Sequence, residues 1–560
     1  MPPLCVSATT ATSPEIPADA LQDAQAEGLS DWRCLHQGVE KIWEWLTPAP
    51  PTHLQHWAEA WQTAFPTQPF VLLDGGSTPS SLNQWRCLGL GQHRRVALHA
   101  LPEASPTIAW QEAGLCQRTL PLAEAFNEIQ TWLAEHSHPW EAIEADNETH
   151  TLLQALPSQQ PCFVFFAYEA YRLFEPKLHA LPPKAPHVAQ APQPLAEVLV
   201  CDTVIWQQVA TGRVLVRSHH PEHLAWLASQ AASARQEATP STTTPIPPSH
   251  ATSTRTTAPQ GVTPSLDADA FSKASEAVLH AIHQGEVYQA NLSSQFVYDA
   301  PLPLSPMALF QQITQRNPSP FAGVWYSHWG CLVSNSPERL VQALPEGRLS
   351  TRPIAGTRSR GSTPEADDAL ADTLRHNEKE RAEHLMLVDL ERNDLGRVCV
   401  AGSVQVDELM VIERYSHVQH LVSNVIGQKQ PEATLLEVLQ ATFPGGTITG
   451  CPKVRCIELL HRHEPAPRGA YTGSMGYLDW PRQQMDTNIL IRTVSLFPAE
   501  ASLETASKPY YTFVQAGAGM VHDSTPKHEF LESLKKASAL WGVLEQESAK
   551  KTFGGHSPPQ

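Results

Sequence analysis

The chain has 560 residues, 41% of them hydrophobic, which is length for two or more domains and apolar material for a sizeable core. Its 39 Lys and Arg stand against 57 Asp and Glu, and the resulting formal charge of −18 repels phosphate and excludes nucleic acid as a default partner. Residues 1–30 hold no basic start followed by an apolar run, and no apolar run approaches the ~20 residues of a membrane helix, so the expectation is a cytoplasmic protein with no membrane partner.

Residues 1–30, rich in Ala, Thr, Pro and Ser, read as a disordered tail. A first region spans 31–230. Within it, Phe70-Val-Leu-Leu73 before Asp74-Gly-Gly76 reads as a strand, Phe163-Val-Phe-Phe166 as a second, and Glu197 to Trp206 as one buried strand. Residues 231–265 are mostly Ser, Thr, Pro and Ala. Such a stretch buries too little apolar area to offset its ordering entropy, so it reads as a linker or surface excursion.

From 266 to 545 helix and strand signals alternate. Asp267 is placed to cap a helix carrying Phe271, Ala274, Val278 and Ile282, and Gly285 ends it. Val287 to Phe296 reads as a strand, and Gly323–Tyr326 with Gly330–Val333 as a hairpin. Residues 378–391 form a helix with Leu385, Met386 and Leu390 on its apolar stripe, and Gly396 suits a left-handed end. Glu383 lies one turn before Leu387, where it can face inward. Thr525 to Leu540 form a second acidic helix with Pro526 in its first turn and Glu529 and Glu532 on one face. Residues 546–560 read as a disordered tail. The ten cysteines show no CxxC spacing and read as reduced core or site-lining thiols.

Two glycine-rich segments lie between these helices. Pro444-Gly-Gly-Thr-Ile-Thr-Gly450 precedes Cys451-Pro-Lys-Val-Arg455, and Gln515-Ala-Gly-Ala-Gly519 follows the strand Tyr510–Val514. Glycine lets a backbone approach a ligand and its amides cradle an anion. The Lys-Ser/Thr ending of a P-loop is missing, so local pattern alone favours tight turns.

Taken in order, Ser336-Pro-Glu-Arg339, Arg352-Pro-Ile-Ala-Gly-Thr357, Arg381-Ala-Glu-His-Leu-Met386, Asp389 with Arg392-Asn-Asp394, His420-Leu-Val-Ser423, the PGGTITGCPKVR run, Arg468-Gly469 with Tyr471, Met485-Asp486, Ile491-Arg-Thr493 and Gln515–Gly519 resemble the chorismate-binding family. The likeness is to component I of the anthranilate and aminodeoxychorismate synthases, over roughly half the chain. It is weak in the first half, through FFAYEAYRLFEP and the LLDGG segment. The resemblance implies an α+β fold: two stacked antiparallel sheets with helices packed outside and the site in the cleft between the halves.

It also implies roles. Mg²⁺ would be held by Glu383 and Glu532 with Glu529 nearby. Arg492 and the amides around Gly517, Ala518 and Gly519 would hold a substrate carboxylate, an arginine fork suiting it better than a lysine. Tyr471 would add a hydroxyl donor, Lys536 a compensating charge, and Thr357 and Thr449 hydrogen bonds to substrate. Glu338 would be the acid at the leaving hydroxyl, with a pKa raised by burial or neighbouring carboxylates. His420 would assist protonation or orient the substrate.

No glutaminase cysteine motif is present, so ammonia comes free or from a separate glutamine amidotransferase subunit. Many aminodeoxychorismate synthases carry a lysine that bonds to the ring where this chain has Ala355, a feature of anthranilate synthases, and a methyl group is no nucleophile. Tyr288-Gln-Ala-Asn-Leu292, PGGTITG and Tyr471–Tyr477 lean instead toward 4-amino-4-deoxychorismate as product. That product is favoured, with anthranilate as the alternative and isochorismate formation or a non-catalytic chorismate sensor behind both.

Overall fold

The computed structural model describes residues 32–37, 41–45, 53–75, 84–100, 107–112, 115–136, 156, 161–184, 193–220, positions scattered from 223 to 230, and 257–553 except 416–417 and 500–508. The tail over 1–30 and residues 231–256 of the 231–265 segment lie outside the described residues.

Among the described residues the strands form two antiparallel sheets, one of 14 strands and one of 12. Both contain strands from each half of the chain. Phe70–Leu73 pairs with Phe321–Ser327 in the larger sheet, and Cys162–Phe166 pairs with Ser474–Asp479 in the smaller. The regions 31–230 and 266–545 therefore share both sheets and fold as one body. The expected architecture of stacked sheets flanked by helices is what the chain adopts.

Period-two burial explains the stacking. In Cys162–Phe166 all five side chains are buried; Phe163 and Phe165 face the core between the sheets, while Cys162, Val164 and Phe166 face helices on the outside. Val71, Trp325, Trp329, Phe497 and Phe513 complete the inter-sheet core from the opposite sheet. The helices His53–Ala64, Pro306–Arg316 and Pro526–Phe553 cover the outer face of the larger sheet. One polar staple crosses the inter-sheet core: buried Glu197 accepts from Trp325 Nε1 and Trp329 Nε1, both at 2.8 Å, from Ser327 Oγ at 2.7 Å, and from Arg95. Fully bonded, such a carboxylate fixes the relative placement of the sheets.

Several expectations hold in detail. Asp267 caps Ala268–His283 by accepting from the Ala270 amide at 2.9 Å, and Gly285 follows with φ of 74°. The hairpin is Phe321–Ser327 with Gly330–Ser336. The seven cysteines whose side chains are described are free thiols, buried except half-buried Cys451.

Others are corrected. The single strand read over Glu197–Trp206 is two, Ala196–Val200 and Thr203–Gln208, in different sheets; Cys201 and Asp202 carry the chain across, so both are apolar without being continuous. Gly396 is helical rather than left-handed: the Glu378–Gly396 helix closes on Arg397, whose amide bonds back to Asp394. Residues Gln515–Gly519 make no tight turn; they continue the strand Pro509–Met520. The expected linker ends before 265, because Val262–Pro264 pairs with the strand Gln289–Tyr298. The tail expected from 546 is helical to Phe553.

Candidate active site

Glu338 stands between the strands Gly330–Ser336 and Arg339–Ala343 and is 5% exposed. Its neighbours hold it in place. Arg339 forms a two-pronged pair with Asp486, both contacts at 2.9 Å, and Ile489 N donates to Glu338 O at 3.0 Å. Thr447 Oγ1 donates to the Glu338 carboxylate at 2.8 Å. Burial pushes the Glu338 carboxyl up to about 7 against the opposing pull of Thr447 and the Arg492 charge. A group that titrates there can give a proton at neutral pH, the property expected of it from sequence.

Arg492 lies within electrostatic reach of both Glu338 and His420. Among the described residues its guanidinium forms no ion pair or hydrogen bond, so its five donors are free for a ligand. Its backbone carries a φ of 51°, a conformation costing a non-glycine residue ~1–3 kcal/mol. The next residue begins the strand Thr493–Pro498, pinned by Thr493 Oγ1 to Ser334 Oγ at 2.9 Å, while Asn335 N donates to Arg492 O at 3.1 Å. Both anchors run to the strand Gly330–Ser336 and hold the left-handed turn that presents the arginine.

His420 and Thr357 face each other across two paired strands, Nδ1 and Oγ1 joined by a hydrogen bond of 2.8 Å. Burial first, then the Arg492 charge, lowers the His420 ring to about 4. The ring is therefore neutral at physiological pH and suited to orient rather than protonate, which narrows the role expected of it. Ala355 is buried in the same strand as Thr357.

Gly517, Ala518 and Gly519 lie on Pro509–Met520, whose pairing with Thr493–Pro498 stops at Val514. Past that point only the strand Gln289–Tyr298 pairs with this segment. The glycines answer a steric demand: a Cβ on Gly517 would stand 2.5 Å from Asn291 Oδ1 and 2.6 Å from Leu292 O. Burial raises the Tyr471 hydroxyl against the pull of Arg468 and, less, of the Gly517 backbone, and Lys536 Nζ donates to Gly517 O at 3.0 Å. Tyr471 is buried against Arg468, the centre of an ion pair with Glu464 at 2.7 Å.

The carboxylates converge only in part. His528, Glu529 and Glu532 offer ligand atoms all within 4.8 Å of one another. Glu383 is outside that trio, but its Oε1 lies 3.9 Å from where a Cβ on Gly519 would stand, and Glu532 and Lys536 both act on it. Burial, then Glu380, then Glu532 raise the Glu383 carboxyl. Burial pushes Glu532 up, but Lys536, with Nζ 2.9 Å away, together with His528 and Lys379 lowers it on balance. Carboxylates drawn together around one lysine are a donor set that a hard divalent cation fits.

Sequence reasoning missed Thr447 and His528. Thr449, which it chose, is fully buried with its hydroxyl unpartnered, while Thr447, two residues earlier, holds Glu338. Both belong to the one-turn helix Gly446–Thr449, and only the turn decides which hydroxyl points at the acid.

A family model for chorismate binding enzymes matches residues 105–542. An anthranilate synthase component I-like protein of Synechocystis is 48% identical over 288 residues, 51% of this chain and 56% of that protein. Aminodeoxychorismate synthase component 1 of Bacillus subtilis is 48% identical over 278 residues, covering 50% and 56%. Anthranilate synthase component 1 of Bacillus caldotenax is 40% identical over 313 residues, covering 56% and 59%. The chain thus spans a little over half the length of the curated relatives it matches. Among solved structures, anthranilate synthase component I from Streptococcus pneumoniae superposes with a TM-score of 0.62 at 26% identity, covering 83% of this chain and 93% of that one. The menaquinone-specific isochorismate synthase of Escherichia coli shares the fold, with a TM-score of 0.57 at 18% identity over 94% and 99%.

Proposed function

The chain belongs to the chorismate binding enzymes, and from that premise we propose that it replaces the ring hydroxyl of chorismate with an amino group. The favoured product is 4-amino-4-deoxychorismate, formed with ammonia from a separate glutamine amidotransferase subunit. The observation that carries this reading is the pairing of Glu338, buried and poised to titrate near neutrality, with the unpaired guanidinium of Arg492. One supplies a proton to a leaving hydroxyl; the other takes a substrate carboxylate in a two-pronged grip.

In the reaction the C–N bond forms as the ring C–O bond breaks. Glu338 protonates the departing hydroxide, which leaves as water. The new nitrogen, positively charged on bond formation, releases one proton, so ammonia and hydroxyl exchange without any redox step. Neutral His420, set by Thr357, orients the ring hydroxyl. Arg492 holds the side-chain carboxylate, with the Gly517 backbone and the Tyr471 hydroxyl assigned to the same task. Glu383 and Glu532, with Glu529 adjacent, would hold Mg²⁺, which when bound supplies positive charge for the ring carboxylate. Ala355 offers no nucleophile, so ammonia attacks the ring directly.

Anthranilate is the second reading, favoured by Ala355 and by relatives named for that product. Purified chain with chorismate, Mg²⁺ and ammonium at alkaline pH separates the two. Anthranilate fluoresces directly, whereas aminodeoxychorismate appears as p-aminobenzoate only after a lyase is added. Silence in both assays, with chorismate still bound, overturns the amination reading in favour of a sensor.

A further inference from the structure

A second hollow lies apart from the site just described. It opens where the helix Tyr171–Phe174, the segment Pro183-Lys184 and the last turns of the helix Lys453–His463 meet. Its volume of about 20 Å³ is room for one guest the size of a water molecule.

The lining offers donors in excess. Arg172 is 7% exposed, and among the described residues its guanidinium has neither an ion pair nor a hydrogen bond; its Nε is enclosed with no acceptor. The Tyr168 hydroxyl is enclosed in the same way. Lys184 Nζ donates to the Glu464 carbonyl and carries two further N–H groups.

The acids of the lining are engaged elsewhere. Glu464 pairs with Arg468 at 2.7 Å and also accepts from the Ser293 amide at 3.0 Å and the Ser293 hydroxyl at 2.7 Å. Glu169 spends one oxygen on the Arg468 amide at 2.7 Å and the other on the Gly469 amide at 3.0 Å. Arg468 is thus matched by Glu464, while Arg172 and Lys184 together face only Glu169. One positive charge is left over, and protonation of Glu169, whose carboxyl burial raises, would enlarge the surplus. His461 adds no charge at neutral pH: burial, then the charges of Lys184 and Arg172, hold its ring down at about 4. An enclosed cation without a counter-charge is costly, and a guest that accepts hydrogen bonds and carries one negative charge relieves it.

We propose that this hollow binds one small monovalent anion, of chloride size, through the Arg172 guanidinium, the Lys184 ammonium and the Tyr168 hydroxyl. The anion ties two segments of the first half of the chain to the second-half arginine that braces Tyr471. Arg468 Cζ stands 4.5 Å from the centre of the Tyr168 ring and 5.7 Å from that of Tyr471.

The test compares melting of the full chain in sodium chloride and in sodium gluconate at equal ionic strength. Gluconate is too large for 20 Å³. At a chloride concentration tenfold above its Kd, the wild type should melt about 1–2 °C higher than in gluconate. Arg172→Met and Lys184→Met each remove a charge and keep an apolar stem, and each should lose this dependence. In gluconate, Arg172→Met should melt at or above the wild type, because the uncompensated charge is gone. Crystals of the wild type soaked in sodium bromide should show an anomalous peak between Arg172 and Lys184. Equal melting of the wild type in both salts overturns the inference, as does a bromide-soaked crystal with no peak in the hollow. A chloride dependence kept in full by the variants also overturns it. Should one variant fail to fold, the other and the wild-type bromide map decide.

Discussion

Replacing Glu338 with glutamine should stabilise the protein while disabling it, and the pH at which this is measured decides whether the reasoning is sound. The folded-state pKa of about 7 lies above the model value of 4.5. A carboxyl raised in this way leaves stability whole below the unfolded pKa and erodes it as pH rises through the folded one, after which the penalty stays constant. The gap, at 1.36 kcal/mol per unit, amounts to about 3 kcal/mol at pH 8. Glutamine keeps an oxygen to accept the 2.8 Å bond from Thr447 and carries no charge to desolvate. With an unfolding entropy of ~2 cal/mol/K per residue over several hundred ordered residues, the melting temperature should rise by about 2–3 °C at pH 8. It should change little at about pH 3, more than a unit below the unfolded value, where the wild-type carboxyl is protonated in both states. Turnover should fall roughly 10²–10⁴-fold, as for loss of a general acid. Melting scans of both proteins across that pH range, with activity on the same samples, are the assay. A shift of equal size at both ends, or a variant less stable than wild type at pH 8, would refute the claim that Glu338 is a buried, desolvated acid.

Thr447→Val removes a hydrogen bond that favours the ionised form of Glu338, so the alkaline limb of kcat should move up by about one unit; a pH–rate profile with an unmoved limb counts against that contact. Glu383→Gln and Glu532→Gln should each nearly abolish turnover and weaken Mg²⁺ binding in calorimetric titration, and wild-type behaviour in either removes that residue from the metal site. Gly517→Ala forces a methyl group against the Leu292 carbonyl, a neighbour that cannot rotate away, and should cost about 1–3 kcal/mol; unchanged melting would show that the strands part more easily than their register suggests.

What the sequence disclosed depended on the range of the interaction. Helix caps such as Asp267 and hairpins such as Phe321–Ser336 are decided within a few residues and were legible as such. The exchange of strands between the halves was not, because no local signal says that Phe70–Leu73 will pair with Phe321–Ser327. The Glu197–Trp206 stretch shows the limit: one apolar run serves two sheets, and the step at Asp202 leaves no periodic trace. In the site, residue types were readable from motif order. Which of Thr447 and Thr449 reaches the acid was not, since both sit on a single helical turn.

The same distinction governs the charges. Arg492 was nominated by its motif, but what suits it to a ligand is that anchoring to the strand Gly330–Ser336 holds a left-handed backbone and leaves the guanidinium without a protein acid in contact. Arg468, more deeply buried, is by contrast saturated by Glu464 and three oxygens of the chain. Two arginines 24 positions apart thus divide into one that holds the fold and one free for a ligand. The difference lies in the acid supplied beside each. A carboxylate introduced at His420, on which the Arg492 charge acts, as in His420→Glu, should draw on its fork and raise the KM for chorismate far more than it lowers stability, because it competes for the same five donors. Steady-state kinetics with a melting scan decide it: a KM left unchanged would place the carboxylate grip elsewhere.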